Sequence, residues 1–112
     1  MFIFTYGTLK CGFPLNDYLR DQKFIGEAET EPGYILYSLG WFPGMVKSGK
    51  KSVKGELWEV FNIEVIDKAE GPFFRRTLIK LKPPYENESI EAYLYLGETI
   101  GKKCQFWRND NV

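Results

Sequence analysis

The chain has no histidine, and this one absence removes Ser–His and Cys–His nucleophile pairs and every imidazole metal site. Its two cysteines, Cys11 and Cys104, are too few and too far apart for a thiolate zinc site or a CxxC redox motif. They force no disulfide, so a reducing interior is expected, with no metal and no cofactor. The chain lacks an excess of either charge: 15 Lys and Arg balance 15 Asp and Glu. A nucleic-acid binder usually carries surplus cations, so no nucleic-acid partner is expected. No run approaches the roughly 18 apolar residues of a membrane span. Met1 leads straight into Phe2-Ile3-Phe4-Thr5-Tyr6-Gly7, with no basic start and no small-residue cleavage site, so no signal peptide is expected. A cytoplasmic location follows as the expectation. The oligomeric state is not legible.

What is present is aromatic. Phe, Trp and Tyr make up 17% of 112 residues, which argues against disorder and for one packed domain over residues 1–112, fraying at 109–112. The patterning predicts strands over Phe2–Tyr6, Lys23–Thr30, Tyr34–Tyr37, Val53–Phe61, Phe74–Leu81 and Ile90–Leu96. Leu15, Tyr18 and Leu19 share one face of a predicted short helix over Pro14–Arg20. A second runs from an Asn62 cap to about Ala69, with Ile63, Ile66 and Ala69 on one face. Ser38 to Gly44 reads as a structured loop and Lys47 to Lys51 as a polar turn. Five to six strands and two short helices predict an α+β, mainly β fold: a small mixed β-barrel with helices closing its ends.

Three features can carry chemistry. Tyr6-Gly7-Thr8-Leu9, followed by Gly12, ends a strand and precedes a helix. Such a turn can aim successive backbone N–H groups at a carboxylate or phosphate. It can equally be a plain strand-to-helix turn, and it is not a P-loop, because the GxxxxGK[ST] spacing is absent. Glu70 lies where the second helix ends, before Gly71-Pro72-Phe73-Phe74. The negative helix end and the neighbouring rings would both raise its pKa toward that of a general acid/base. The alternative is a solvated turn carboxylate. Of Arg75 and Arg76 at most one faces a pocket, since neighbouring strand residues point to opposite sides; if Phe74 points inward, so does Arg76. The aromatic set Tyr34, Tyr37, Trp41, Phe42, Trp58, Tyr93, Tyr95 and Trp107 reads as core and wall rather than a stacking platform.

The order of these motifs resembles the gamma-glutamylcyclotransferase-like family, nearest its short gamma-glutamylamine branch. The resemblance rests on Tyr6-Gly7-Thr8-Leu9 after an N-terminal strand, on Leu36-Tyr37-Ser38-Leu39-Gly40 and Phe42-Pro43-Gly44-Met45-Val46, on Val53-Lys54-Gly55-Glu56-Leu57-Trp58-Glu59-Val60, and on Asp67-x-x-Glu70-Gly71 with Phe74-x-Arg76. It implies a small barrel with a cavity. It further implies that Tyr6, Gly7, Thr8 and Leu9 hold the glutamyl end of a small-molecule substrate through their backbone, and that Glu70 is the acid/base. Arg76 is carried over as a substrate-binding residue. Phe74 departs from the pattern, standing where many members carry Tyr. The implied reaction releases 5-oxoproline and a free amine, with no cofactor, metal or enzyme nucleophile. A non-catalytic small-molecule binding module on the same scaffold is the alternative.

Overall fold

The computed structural model describes residues 1–7, 9–10, 14–38, 42–96 and 102–104, of which 14, 15 and 102–104 by backbone alone. Among them are eight strands, one α-helix and one 3-10 helix: β1 (Phe2–Thr5), the 3-10 helix (Pro14–Leu19), β2 (Lys23–Glu29), β3 (Tyr34–Ser38), β4 (Pro43–Lys47), β5 (Lys54–Glu59), α1 (Ile63–Glu70), β6 (Phe74–Ile79), β7 (Ile90–Tyr95) and β8 (Lys102–Cys104). The mainly β, α+β class expected from the patterning is present. Two of the strands, β4 and β8, fall outside the runs that the patterning marks.

All eight strands belong to one sheet, ordered β2-β5-β1-β7-β4-β3-β8, with β6 paired to β7 beside that path. β7 organises the centre. It runs parallel to β1 at Phe2 and Ile3, parallel to β4 at Met45, and antiparallel to the whole of β6. The sheet curls but stays open, so the expected closed barrel is not formed. Closure would need β2 and β6 to pair along their length. They meet only through the bridge Thr30↔Leu81, flanked by Glu31 N–H to Lys80 O and Lys82 N–H to Glu29 O, both 2.9 Å. Farther along β2 the register shifts between Phe24 and Gly26, and a Cβ at Gly26 would lie 3.0 Å from the Tyr85 hydroxyl. The Tyr85 ring packs against the core there, so a side chain rather than a strand meets that edge.

Strand alternation divides the core between the two faces of the sheet. Phe4, Tyr6, Leu36, Met45, Leu57, Ile79, Ile90 and Ala92 fill one face. Ile3, Leu9, Leu19, Trp58, Val60, Ile66 and Tyr93 fill the other, under the two helices. Gly55 permits a close approach: a Cβ there would collide with the Thr5 carbonyl and lie 2.7 Å from the Phe4 ring.

The helices depart from expectation in detail. Pro14–Leu19 winds as a 3-10 helix with three residues per turn, so Tyr18 and Leu19 do not share a face: Leu19 is fully buried and Tyr18 is exposed. Asn62 precedes α1 but makes no side-chain cap, its backbone sitting at φ −133° and ψ 66°. No helix among the described residues is long and apolar enough to cross a membrane.

Candidate active site

α1 is short and amphipathic, with Ile66 fully buried. Residues 63, 66, 67 and 70 follow the i, i+3, i+4, i+7 spacing of one helix face, so the stripe that begins with two isoleucines ends in two carboxylates. Glu70 is the last helical residue. Gly71 follows at φ +81°, a conformation that glycine adopts without a Cβ clash, and its N–H donates to the Asp67 carbonyl at 3.3 Å. Pro72 then directs the chain into β6.

This placement leaves the Glu70 carboxylate half-buried. Loss of water raises its pKa from 4.5 to about 7, and no hydrogen bond or ion pair to it from the described residues offsets the cost. Burial is the cause here, rather than the helix-end charge that the sequence also suggested. The negative charge of Glu70 extends to two phenols. Tyr6 and Tyr93 both have their pKa raised, first by burial, with Glu70 contributing to each.

Tyr6 holds the site together from below. Its hydroxyl donates to the Tyr93 carbonyl and accepts the Met45 N–H at 3.2 Å, so one buried phenol ties the end of β1 to β7 and β4. Both hydrogen-bonding functions of the side chain are used inside the protein. Gly7 is buried, and a Cβ there would stand 2.5 Å from Pro43 Cγ, which explains why only glycine lets the turn pass under the start of β4. The Gly7 carbonyl accepts from Lys10 N–H at 3.0 Å and the Leu9 carbonyl from Asn16 Nδ2 at 2.9 Å. The Leu9 side chain is core. Thr8, expected among the substrate contacts, lies outside the described residues.

Arg76 is engaged with its own protein. Its Nε and Nη2 donate to the two Asp67 carboxylate oxygens, each at 3.2 Å, and Nη1 lies 3.4 Å from Glu91. The Tyr93 hydroxyl donates to Asp67 at 2.5 Å. β6 and β7 therefore clamp α1 through Asp67, one turn before Glu70. Phe74 and Arg76 do share a face, as strand alternation requires, and Arg75 is exposed on the other. Asp67 stood in the motif without a role, and Tyr93 as a polar group and Glu91 were not singled out by sequence reasoning. The available signal was Asp67 on the Glu70 face of the helix.

The aromatic set divides. Tyr34, Trp58 and Tyr93 are buried, whereas Phe42 and Tyr95 form a cluster with Phe74. Trp41 and Trp107, together with Leu39, Gly40 and the expected frayed end at 109–112, lie outside the described residues. A separate cleft of about 580 Å³ opens beside Lys10, Glu27, Glu29, Lys54, Glu56 and Lys82, and Glu70 is not among its lining residues.

The profile of the family described as gamma-glutamyl cyclotransferase, AIG2-like, matches residues 3–109. A protein of Methanocaldococcus jannaschii provisionally named a gamma-glutamylcyclotransferase is 35% identical over 100 residues, covering 84% of this chain and 82% of the relative. A similarly named protein of Vibrio cholerae is 45% identical over 58 residues, covering 52% of this chain, so that match spans half (50%) of the relative's length. Among solved structures, an uncharacterised Pyrococcus horikoshii protein superposes with a TM-score of 0.77 at 30% identity, covering 94% of this chain and 86% of that one. A match running through the turn after β1, the strand β5 and the carboxylate at the end of α1 makes this chain a member of the gamma-glutamyl cyclotransferase, AIG2-like family.

Proposed function

We propose that the protein is a gamma-glutamyl amide cyclotransferase with Glu70 as its acid/base. One observation carries the reading: a half-buried carboxylate at the end of α1, raised to about 7 by burial, beside the Tyr6 turn. A carboxyl with that pKa is divided between its two protonation states near neutrality, as a group that first accepts and then donates a proton requires.

The reaction balances without any further participant. The substrate α-ammonium gives a proton to the Glu70 carboxylate. The freed amine nitrogen bonds to the side-chain carbonyl carbon and closes the five-membered ring. The bond from that carbon to the departing nitrogen breaks as Glu70 returns the proton to that nitrogen; the ring nitrogen then gives up its second proton to the regenerated Glu70 carboxylate, which passes it to the released amine, so the two protons lost by the α-nitrogen are the two that the leaving ammonium gains. The products are 5-oxoproline and a free amine. In this reading the backbone N–H groups of the Tyr6 to Leu9 turn, Thr8 included, hold the glutamyl end, because the Tyr6 hydroxyl is already committed to Tyr93 and Met45. Arg76 acts as a positioning residue: it fixes Asp67, and through it the last turn of α1.

The test is a panel of gamma-glutamyl amides incubated with the purified protein, with 5-oxoproline followed by mass spectrometry. Release from at least one amide, lost in Glu70→Gln, is the expected result. No release from any amide by well-folded protein would refute the catalytic reading and leave a binding module on the same scaffold.

A further inference from the structure

Three residues per turn place Asn16 and Leu19 on one face of the 3-10 helix. Leu19 is fully buried and clusters with Leu9 and with Ile66 of α1. This short helix therefore packs both against the turn after β1 and against the helix that ends in Glu70. Asn16, partly buried, reaches back seven residues, and its Nδ2 donates to the Leu9 carbonyl at 2.9 Å. A carbonyl only accepts, so the amide must present its NH2 there, and an ionised carboxylate of the same shape could not replace it.

The peptide between Leu9 and Lys10 is thereby held at both ends. Its carbonyl accepts from Asn16, and its N–H, that of Lys10, donates to the Gly7 carbonyl at 3.0 Å and closes a turn over residues 7–10. The Gly7 and Leu9 carbonyls are thus both satisfied from within the protein. Their N–H groups are not: neither donates to any of the described residues, although both residues are buried. Buried backbone donors are rarely left without an acceptor. A turn with its carbonyls filled and its donors open offers those donors to an acceptor that the ligand brings. Asn16 sets this polarity, because without its amide the Leu9–Lys10 peptide is held at one end only and the Leu9 carbonyl must find another donor.

We propose that Asn16 is a positioning residue of the site: by pinning the Leu9–Lys10 peptide it keeps the donors of the turn directed at the glutamyl end of the substrate, without touching the substrate itself. This inference rests on the cyclotransferase reading above for the identity of the ligand. A plain structural brace between the turn and the 3-10 helix would behave differently, since its loss would lower stability and leave affinity alone.

The probe is 5-oxoproline, which contains the glutamyl part and no leaving amine. It is titrated into isotopically labelled Glu70→Gln protein, in which the ionisation of Glu70 cannot alter binding, and backbone amide signals are followed by NMR. The Gly7 and Leu9 amide signals are expected to move as the ligand binds. Adding Asn16→Ala should weaken Kd about three- to tenfold, the scale of one hydrogen bond. Asn16→Asp should weaken it as much at neutral pH and recover toward the parent at about pH 4, where a protonated carboxyl can again donate to Leu9. In protein that keeps Glu70, Asn16→Ala should raise KM for any amide that is turned over and leave unchanged the pH at which kcat/KM levels. A lower Tm with unchanged Kd, an Asp variant that does not recover, or Gly7 and Leu9 signals that ignore the ligand would each overturn the inference. Should Asn16→Ala fail to fold, the recovery of Asn16→Asp decides it. Release of 5-oxoproline from an amide, with binding indifferent to Asn16, would overturn this inference alone. Asn16-dependent binding with no release from any amide would uphold the role of Asn16 and remove the cyclotransferase reading.

Discussion

Replacing Glu70 by Gln should slow turnover by orders of magnitude and, above neutral pH, make the protein more stable. The folded carboxyl has a pKa of about 7 against 4.5 for an unperturbed one. Between those values the folded state binds more protons than the unfolded state, so stability falls as pH rises through the window and the full cost is present above pH 7. At about 1.4 kcal/mol per pH unit the ceiling is about 3 kcal/mol. Glu70 is only half-buried, and solvent screening brings the expected figure to about 1.5 kcal/mol. Gln has nearly the same shape and no charge, so Glu70→Gln escapes the penalty. For a domain of this size the gain corresponds to a Tm roughly 6–12 °C higher at pH 8, with no difference at pH 4, where both side chains are neutral. Thermal unfolding followed by circular dichroism between pH 4 and 8 measures this directly. In parallel, loss of an acid/base should cost about 10² to 10⁴ in rate, or roughly 3–5.5 kcal/mol of barrier. A Glu70→Gln protein less stable than wild type at pH 8, or differing from it by the same amount at every pH, would refute the claim that burial of an ionisable carboxylate shapes this site.

The remaining expectations use simpler readouts. The kcat/KM of the proposed reaction should rise with pH up to about 7, tracking ionisation of Glu70, and then level; a flat profile from pH 5 to 8 would exclude Glu70 as the base. Asp67→Asn removes the charge that Arg76 and Tyr93 share, and should lower kcat more than it raises KM while costing roughly 1 kcal/mol in chemical denaturation; an unchanged kcat would detach the clamp from catalysis. Tyr6→Phe strands the buried Met45 N–H and Tyr93 carbonyl, for an expected loss of about 1–3 kcal/mol by urea titration; near-wild-type stability would show that the phenol is not the tie between β1, β4 and β7. Gly55→Ala forces a Cβ into the Thr5 carbonyl and the Phe4 ring, and should destabilise by about 3 kcal/mol or more, or prevent folding; a folded variant of normal Tm would contradict the close approach of β5 to β1.

Much of the architecture was legible because it is local. Alternation over residues 74–79 marks β6, and a run of apolar and aromatic residues over 90–95 marks β7, since a strand with one face on the core alternates and one covered on both faces does not. β4 was not legible. Its Pro43-Gly44 start reads as a loop, and it becomes a strand only because β3 and β7 supply pairing partners on both sides. β8, at three residues, carries no period to detect. Barrel or open sheet is likewise a nonlocal matter. It depends on whether β2 finds β6, and a single bridge together with the Tyr85 side chain leaves the sheet open.

The candidate site divides along the same line. By itself the sequence determined that a carboxylate ends a short amphipathic helix, that glycine follows it, and that a Gly-containing turn follows the first strand. Each of these is written in neighbouring residues. Only the tertiary structure decided that the carboxylate loses its water, that Tyr6 is used internally, and that Arg76 grips Asp67 rather than standing alone. Those outcomes depend on contacts between residues far apart in the chain, such as Tyr6 with Tyr93 and Asp67 with Tyr93. Desolvation, which sets the pKa of Glu70, arises from the elements packed around a side chain, and no local pattern encodes it.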